Sequence, residues 1–402
     1  MKRAVSIIAA AVMLTAAAPV VTSAADDTGS FMLSYTVDNK EATVTGCIGS
    51  DAVIIIPSEL EGFPVTAVAD DAFSGNTDIT ICIIPDSVKT IGERAFSTCP
   101  ALNTITIGSG VTKIGDYAFT ACPALSYIDV NKDNPTYSNI NGCLYENSSD
   151  LLLYAGGTDA VINKGTKTIR KGAFFGKADI VSVTFPDSVT VVDDSAFAGC
   201  LSLKSVDIPD SVTTLGRGCF ISCSALESVS LSRSVKSIPD NCFHSCTSLR
   251  NVPIPDNITS IGNGAFYSCA GMSNIYLPAS VKTIGIESFG RRYNVRSSLS
   301  ENISGFVIRG EKGSAAEKYA SGQKLAFAEG HLAIGDVNSD GNVNAVDASL
   351  VLAEYAATSS DHPGSFTGDE NNAADWNGDG DINAVDASAI LAFYAESSVS
   401  SL

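Results

Sequence analysis

AFAGCLSLKSVDIPDSVTTLG, residues 196–216, carries the pattern that decides the fold. Its Phe197 belongs to a series on a fixed clock, Phe73, Phe96 and Phe119, then Phe174, Phe197, Phe220, Phe243, Phe266 and Phe289, evenly spaced at a period of 23 within each run. The one longer gap runs from Phe119 to Phe174, a period plus an insertion. A small residue precedes the ring, as in Ala72, Ala95, Ala118, Ala173, Ala196 and Ala265, with Cys219 and Cys242 in two units. Three places after it stands Cys99, Cys122, Cys200, Cys223, Cys246 or Cys269, and Asn76 in the first unit. Apolar residues then recur at set offsets, as Leu203, Val206, Ile208, Val212 and Leu215 do here, and Pro85, Pro186, Pro209, Pro255 and Pro278 close the short strand.

A period of this length means a stacked repeat. Each unit offers one strand-like L-x-x-V-x-I segment and a turn, and cannot bury its own apolar side. Stacked neighbours make one continuous core, so the expected fold is a β-rich solenoid. Eleven cysteines in a chain of this kind suggest disulfides at first sight. Six sharing one repeat offset with an asparagine read instead as inward polar side chains serving loop backbone. The strand positions that alternate outward are Ile81/Ile83, Thr104/Thr106, Tyr127/Asp129, Ser182/Thr184, Ser205/Asp207, Ser228/Ser230, Asn251/Pro253 and Asn274/Tyr276. That surface is small and polar, suited to a protein or cell-surface target and poor for stacking sugars.

These AF-x-x-C-x-x-L-x-x-I-x-I-P units resemble the BspA-like class of bacterial leucine-rich repeats, over about residues 30–328. The resemblance implies an N-terminal hairpin and half-turn at 31–66 and a β-hairpin insertion at about 131–160. It also implies a C-terminal cap with a short helix near Ser314–Ala320.

The chain has 402 residues, room for two or three domains, and 45% hydrophobic content supports a sizeable core. A net charge of −19 argues against nucleic acid or anionic lipid as partner. Residues 1–24 read as a signal peptide: Lys2 and Arg3, the apolar run Ala4–Ala18, then Thr22-Ser23-Ala24 as a cleavage site. No later run is long and apolar enough to predict a membrane span, so the mature protein is expected outside the cytoplasm.

The charge is concentrated. From His331 to Leu402 there are 12 Asp/Glu and no Lys or Arg. Within that stretch DVNSDGNVNAVDASLVLAEYA, from Asp336, is nearly copied by DWNGDGDINAVDASAILAFYA, from Asp375. Oxygen side chains fall at loop positions 1, 3, 5, 9 and 12: Asp336, Asn338, Asp340, Asn344 and Asp347, then Asp375, Asn377, Asp379, Asn383 and Asp386. Position 7, Asn342 or Asp381, offers its carbonyl, and Gly341 or Gly380 allows the sharp turn. This is the EF-hand spacing, in which alternate residues of a tight loop converge on one hard cation, and it predicts two Ca2+ ions. Apolar helices are expected after the loops, at Ala348–Ala356 and Ala387–Glu396, with none before either.

A duplicated loop and helix without an entering helix resembles the dockerin module of cellulosome-type assemblies, over about residues 333–398. The resemblance implies a small all-α module that binds a cohesin module of a scaffold protein involved in polysaccharide breakdown. The family's partner-reading positions fall on Ala345, Val346, Leu352 and Ala353, and on Ala384, Val385, Leu391 and Ala392. Because the same types recur in both copies, either helix could dock after a half-turn of the module. Two departures stand out: Ala-Val replaces the Ser-Thr frequent in clostridial dockerins, and ATSSDHPGSFTGDENNAAD makes a longer connection.

No nucleophile, metalloprotease or nucleotide motif occurs, and His244 fills a variable loop slot. The expectation is a non-catalytic binding subunit held by a calcium-dependent plug. The alternatives are a polysaccharide hydrolase of the same assembly or a structural or inhibitor subunit.

Overall fold

The computed structural model describes residues 31–250, 252–330, 335–338, 343–360, 364–366, 368–376 and 381–400. The expected signal peptide lies outside them. The chain forms two units, one of residues 1–203 and 209–224, the other of residues 204–208 and 225–402.

In the first unit an antiparallel hairpin, Phe31–Asp38 with Glu41–Gly49, opens the stack. Short parallel strands follow on two sides of each turn. On one side Val53–Ile55, Ile81–Ile84, Thr104–Ile107 and Tyr127–Val130 form one sheet, with Ile81 beside Thr104 and Thr104 beside Tyr127. On the other, Phe63–Val68, Thr90–Ile91 and Lys113–Ile114 continue the opening hairpin. Strand partners such as Thr104 and Tyr127, or Thr90 and Lys113, lie one Phe-to-Phe period apart, so the sequence period is also the sheet register.

Each turn from Phe73 to Phe266 bends where the chain turns left-handed two places before and two after its Phe. Arg94 and Thr98 flank Phe96 (φ 51° and 58°), and Ser195 and Gly199 flank Phe197 (φ 53° and 71°). Left-handed backbone is costly for residues with a Cβ, and the bend after the ring is made only by Gly, Ala, Ser or Thr. The bends let the Phe N–H reach the next turn: Phe96 donates to Ala118 at 2.8 Å and Phe197 to Cys219 at 2.7 Å. The rings stack face to face at 5.0 Å (Phe73–Phe96), 5.6 Å (Phe96–Phe119), 4.5 Å (Phe174–Phe197) and 5.1 Å (Phe197–Phe220).

The insertion replaces a turn with an antiparallel meander, Tyr137–Ile140, Cys143–Glu146 and Asp150–Leu153. Its last strand pairs in parallel with Thr168–Ile169, returning the chain to the repeat. Tyr154 then takes a ring place in the ladder, 4.6 Å from Phe174.

The second unit repeats the scheme. Ser205–Asp207 pairs with Ser228–Ser230, and Ser237–Ile238, Ser260–Ile261 and Thr283–Ile284 form a second ladder. Phe243, Phe266 and Phe289 stack at 5.2 and 4.8 Å. A hairpin of Arg291–Asn294 and Leu299–Asn302, not anticipated from the sequence, follows the last Phe. Helix α1 (Ala315–Gln323) then caps the stack: Tyr319 meets Phe289 edge-on, and its hydroxyl accepts the Phe289 N–H at 2.8 Å. An open solenoid end would expose core, and this ring covers it.

After α1 come α2 (Ala345–Thr358), the short α3 (Gly368–Ala374) and α4 (Ala384–Ser400). The expected fold class holds: a solenoid with a capping hairpin and a small helical module. Two details differ. Helices α2 and α4 begin earlier than expected, and α3 precedes the second loop. Alanines 373 and 374 explain α3, since both are buried in the small core with Val351 and Ile390.

Candidate functional site

The helix starts and the loop ends are built by the same residues. Asn344 caps α2, its side chain accepting the Val346 N–H at 2.7 Å, while Asp347 Oδ2 accepts the Asn344 N–H at 2.9 Å. The second copy repeats this with Val385 to Asn383 at 2.7 Å and Asn383 to Asp386 at 2.9 Å. This is a capping box, with aspartate in the role usual for glutamate. The sequence signal, Asn-x-x-Asp before an apolar run, was available and marks both starts. Loop positions 9 and 12 therefore serve the helix as well as the loop. The remaining oxygen, Oδ1, of each aspartate turns back on the loop start, accepting Asn338 N–H and Trp376 N–H, both at 3.0 Å.

Asp347 and Asp386 are fully buried and Asp336 nearly so. A buried carboxylate is costly without a compensating charge, and residues 331–402 contain no Lys or Arg. The donors at these positions are all oxygens, so they fit a hard divalent cation. Asn338, Asn344, Asp375, Asp381 and Asn383 stand exposed or half-buried around them. Asp340, Asn342, Asn377 and Asp379 lie outside the described residues. Among the described residues alone no three acidic, His or Cys side chains converge at ligand spacing.

The eight positions expected from the resemblance to read a partner share one trait. Ala345, Val346, Leu352, Ala353, Ala384, Val385, Leu391 and Ala392 are all exposed. The inward positions are instead Ala348, Val351, Ala387 and Ile390. Core packing therefore does not account for the eight, since apolar side chains of this size are standing in solvent.

On the strands of the first unit, Thr104, Thr106, Tyr127 and Asp129 face out, alternating with buried Ile105 and Ile128. In the second unit Ser205, Asp207, Ser228 and Ser230 face out around Val206 and Val229. Asn251 lies outside the described residues. His244 stacks on Tyr267 at 5.1 Å and bonds the Ser245 hydroxyl at 2.9 Å, and burial holds its pKa below the usual value.

All eleven cysteines are free thiols. Those at the repeat offset do what the spacing implied. Cys99, Cys122 and Cys223 donate to the carbonyls of Phe73, Phe96 and Phe197 at 3.1, 3.0 and 3.2 Å, and Cys269 to that of Phe243 at 3.1 Å. Asn76 accepts the Asp78 and Ile79 N–H groups at 2.9 and 3.0 Å. Burial pushes the Cys269 thiol up to about 12, so it stays protonated and unreactive. The sequence reading missed Lys177, which holds the same offset after Phe174. Its buried amine donates to the carbonyls of Leu125 and Cys122 at 2.9 and 3.5 Å.

Fold and loops together define a repeat solenoid carrying a paired acidic loop-helix module. The family model for the BspA type leucine rich repeat region matches residues 63–152 and 167–296, more than half of the chain, and the chain belongs to that family. The model for the Dockerin type I domain matches residues 334–392. Among solved structures, a leucine-rich repeat protein from Eubacterium ventriosum is 20% identical, with 66% of this chain and 91% of that one covered, at a TM-score of 0.43. A leucine rich cell surface protein from Faecalibacterium prausnitzii is 22% identical, covering 70% and 97%, at 0.34. No curated protein matches the sequence. Repeat region and dockerin are both non-catalytic kinds of module, and no described helix is long and apolar enough to cross a membrane.

Proposed function

We propose that this chain is a secreted, non-catalytic binding subunit. Two Ca2+ ions, held by the loops from Asp336 and Asp375, order the dockerin. The exposed residues on one of the two helices, α2 or α4, bind a cohesin module of a cellulosome-type scaffold involved in polysaccharide breakdown. The outward strand faces of the repeats engage a protein or cell-surface target.

The observation that carries this reading is the pairing of buried loop carboxylates with exposed apolar helix positions. Bound calcium brings positive charge to a stretch, residues 331–402, that has no Lys or Arg of its own. Asn344 and Asp347, with their counterparts Asn383 and Asp386, fix where each helix starts. That in turn fixes where Val346, Leu352, Val385 and Leu391 point.

The test is a panel of cohesin modules titrated with the full chain in calcium and in EDTA. Binding at micromolar Kd or tighter to at least one module, lost in EDTA and in an Asp347→Ala/Asp386→Ala variant, is the expected result. Binding that survives EDTA sinks the calcium role, and no binding to any module in calcium sinks the partner.

A further inference from the structure

The two loop-helix copies, one from Asp336 and the other from Asp375, agree closely. Val346 and Val385 are 55% and 59% exposed, and Leu352 and Leu391 are 44% and 42%. Ser349 and Ser388 each bond a carbonyl one turn back, at 2.8 and 2.7 Å. Seven of the 21 aligned positions differ, and the one that exchanges a buried charge for an exposed ring lies immediately after Ala353 and Ala392 on the helices. There α2 has Glu354, 5% exposed, and α4 has Phe393, 43% exposed.

The difference reaches beyond one side chain. Glu354 Oε2 accepts the Ser365 N–H at 2.8 Å and the Ser365 hydroxyl at 2.7 Å, and Oε1 accepts the Phe366 N–H at 3.1 Å. A Cβ added at Gly364 would collide with Oε1, so the connector lies against the carboxylate at closest approach. Phe366 packs on the module core. The longer connection between the copies is thus strapped to the flank of α2. On α4 the same flank presents Phe393, leaning on Trp376 at 5.2 Å, with Tyr394 exposed beside it.

We infer that the two helices are not interchangeable. The cohesin seats on α4, with Phe393 widening the apolar contact made by Val385 and Leu391, while on α2 the Glu354-held connector occupies the corresponding flank. This rests on the reading above that a cohesin is the partner. The module then binds in one orientation, and Glu354 and Phe393 set which. An interface of this type takes most of its affinity from a few apolar anchors, and α4 has one aromatic more than α2.

The full chain in calcium is titrated with a cohesin that binds the wild type, and helical circular dichroism checks each variant. Val385→Asp is expected to weaken binding at least about 30-fold and Phe393→Glu about 10-fold, whereas Val346→Asp changes it less than about 3-fold. If Val385→Asp loses helix, Leu391→Glu takes its place. Adding Glu354→Phe to Val385→Asp, which releases the connector and gives α2 the missing ring, is expected to recover binding through α2. Equal tolerance of Val346→Asp and Val385→Asp, or loss with Val346→Asp alone, overturns the inference. A wild type that binds no cohesin in calcium overturns the partner reading and this inference with it. Symmetric variants of a binding wild type overturn only the inference.

Discussion

Three places after the rings of the repeat, the last excepted, a side chain gives or takes hydrogen for loop backbone that the stack buries. Thiol, amide and amine all do it here, and the choice depends on what must be reached. Cys122 reaches the Phe96 carbonyl of the turn before it. Lys177 has a longer stem, and across the insertion it reaches two carbonyls, of Cys122 and Leu125. Burial holds its amine below the ordinary lysine pKa, so the contact carries a desolvation cost of its own. Removing a donor from buried acceptors costs more than that relief returns. Lys177→Met is therefore expected to destabilise the chain by about 1–3 kcal/mol in urea unfolding followed by circular dichroism. A Met variant as stable as the wild type would show that these two carbonyls need no donor. The cysteines were readable in the sequence because they recur. Lys177 was not, because it stands once at its offset, and only the structure shows which carbonyls an insertion leaves open.

Among the elements, the insertion is the one that departs from the repeat and uses tyrosine where the repeat uses phenylalanine. Tyr137 and Tyr154 are buried, and burial pushes each hydroxyl up to about 12, with the charge of Glu146 adding for Tyr137 and that of Cys143 for Tyr154. Tyr145 moves in the same direction for the same first cause. An unfolded tyrosine ionises near pH 10. The folded value lies above the unfolded one, so the stabilisation is complete below about pH 10 and is lost as pH rises toward 12. Alkaline titration watched by phenolate absorbance should show late ionisation coincident with loss of sheet signal. Tyr137→Phe and Tyr154→Phe should each remove part of the late step, and an early step unchanged by either variant would refute the assignment. The hairpin insertion was foreseeable from the long gap between Phe119 and Phe174. The second hairpin, Arg291–Asn302, was not, because it follows the last Phe and interrupts no period. The helix starts at 345 and 384 were misplaced because Asn344 and Asp347 were read for metal chemistry alone, although the same two residues cap the helix.

At the scale of the whole chain, charge separates one stretch from the rest. Of the net −19, the part from His331 to Leu402 contributes −12, having 12 Asp/Glu and no Lys or Arg. It folds around few side chains, Val337, Ala348, Val351, Ala373, Ala374, Ala387 and Ile390. So small a core leaves little to oppose repulsion among buried carboxylates when the cation is withdrawn. EDTA is expected to melt α2 and α4 and leave the repeats folded, read as loss of helical signal with β signal intact and reversed by calcium. An unchanged helical signal would refute it.

The repeat has a consequence for the gene. Within each unit, neighbouring regular turns meet through the same contacts: a Phe N–H to the residue before the following Phe, a thiol back to the preceding Phe carbonyl, and strand partners one period apart. A recombination slip that deletes or duplicates one whole period joins flanks that already match in every one of these respects. A slip of any other length throws ring, thiol and strand out of step together. Descendants of this gene can therefore vary the length of the stack in whole turns while keeping the fold and the helical module that follows it.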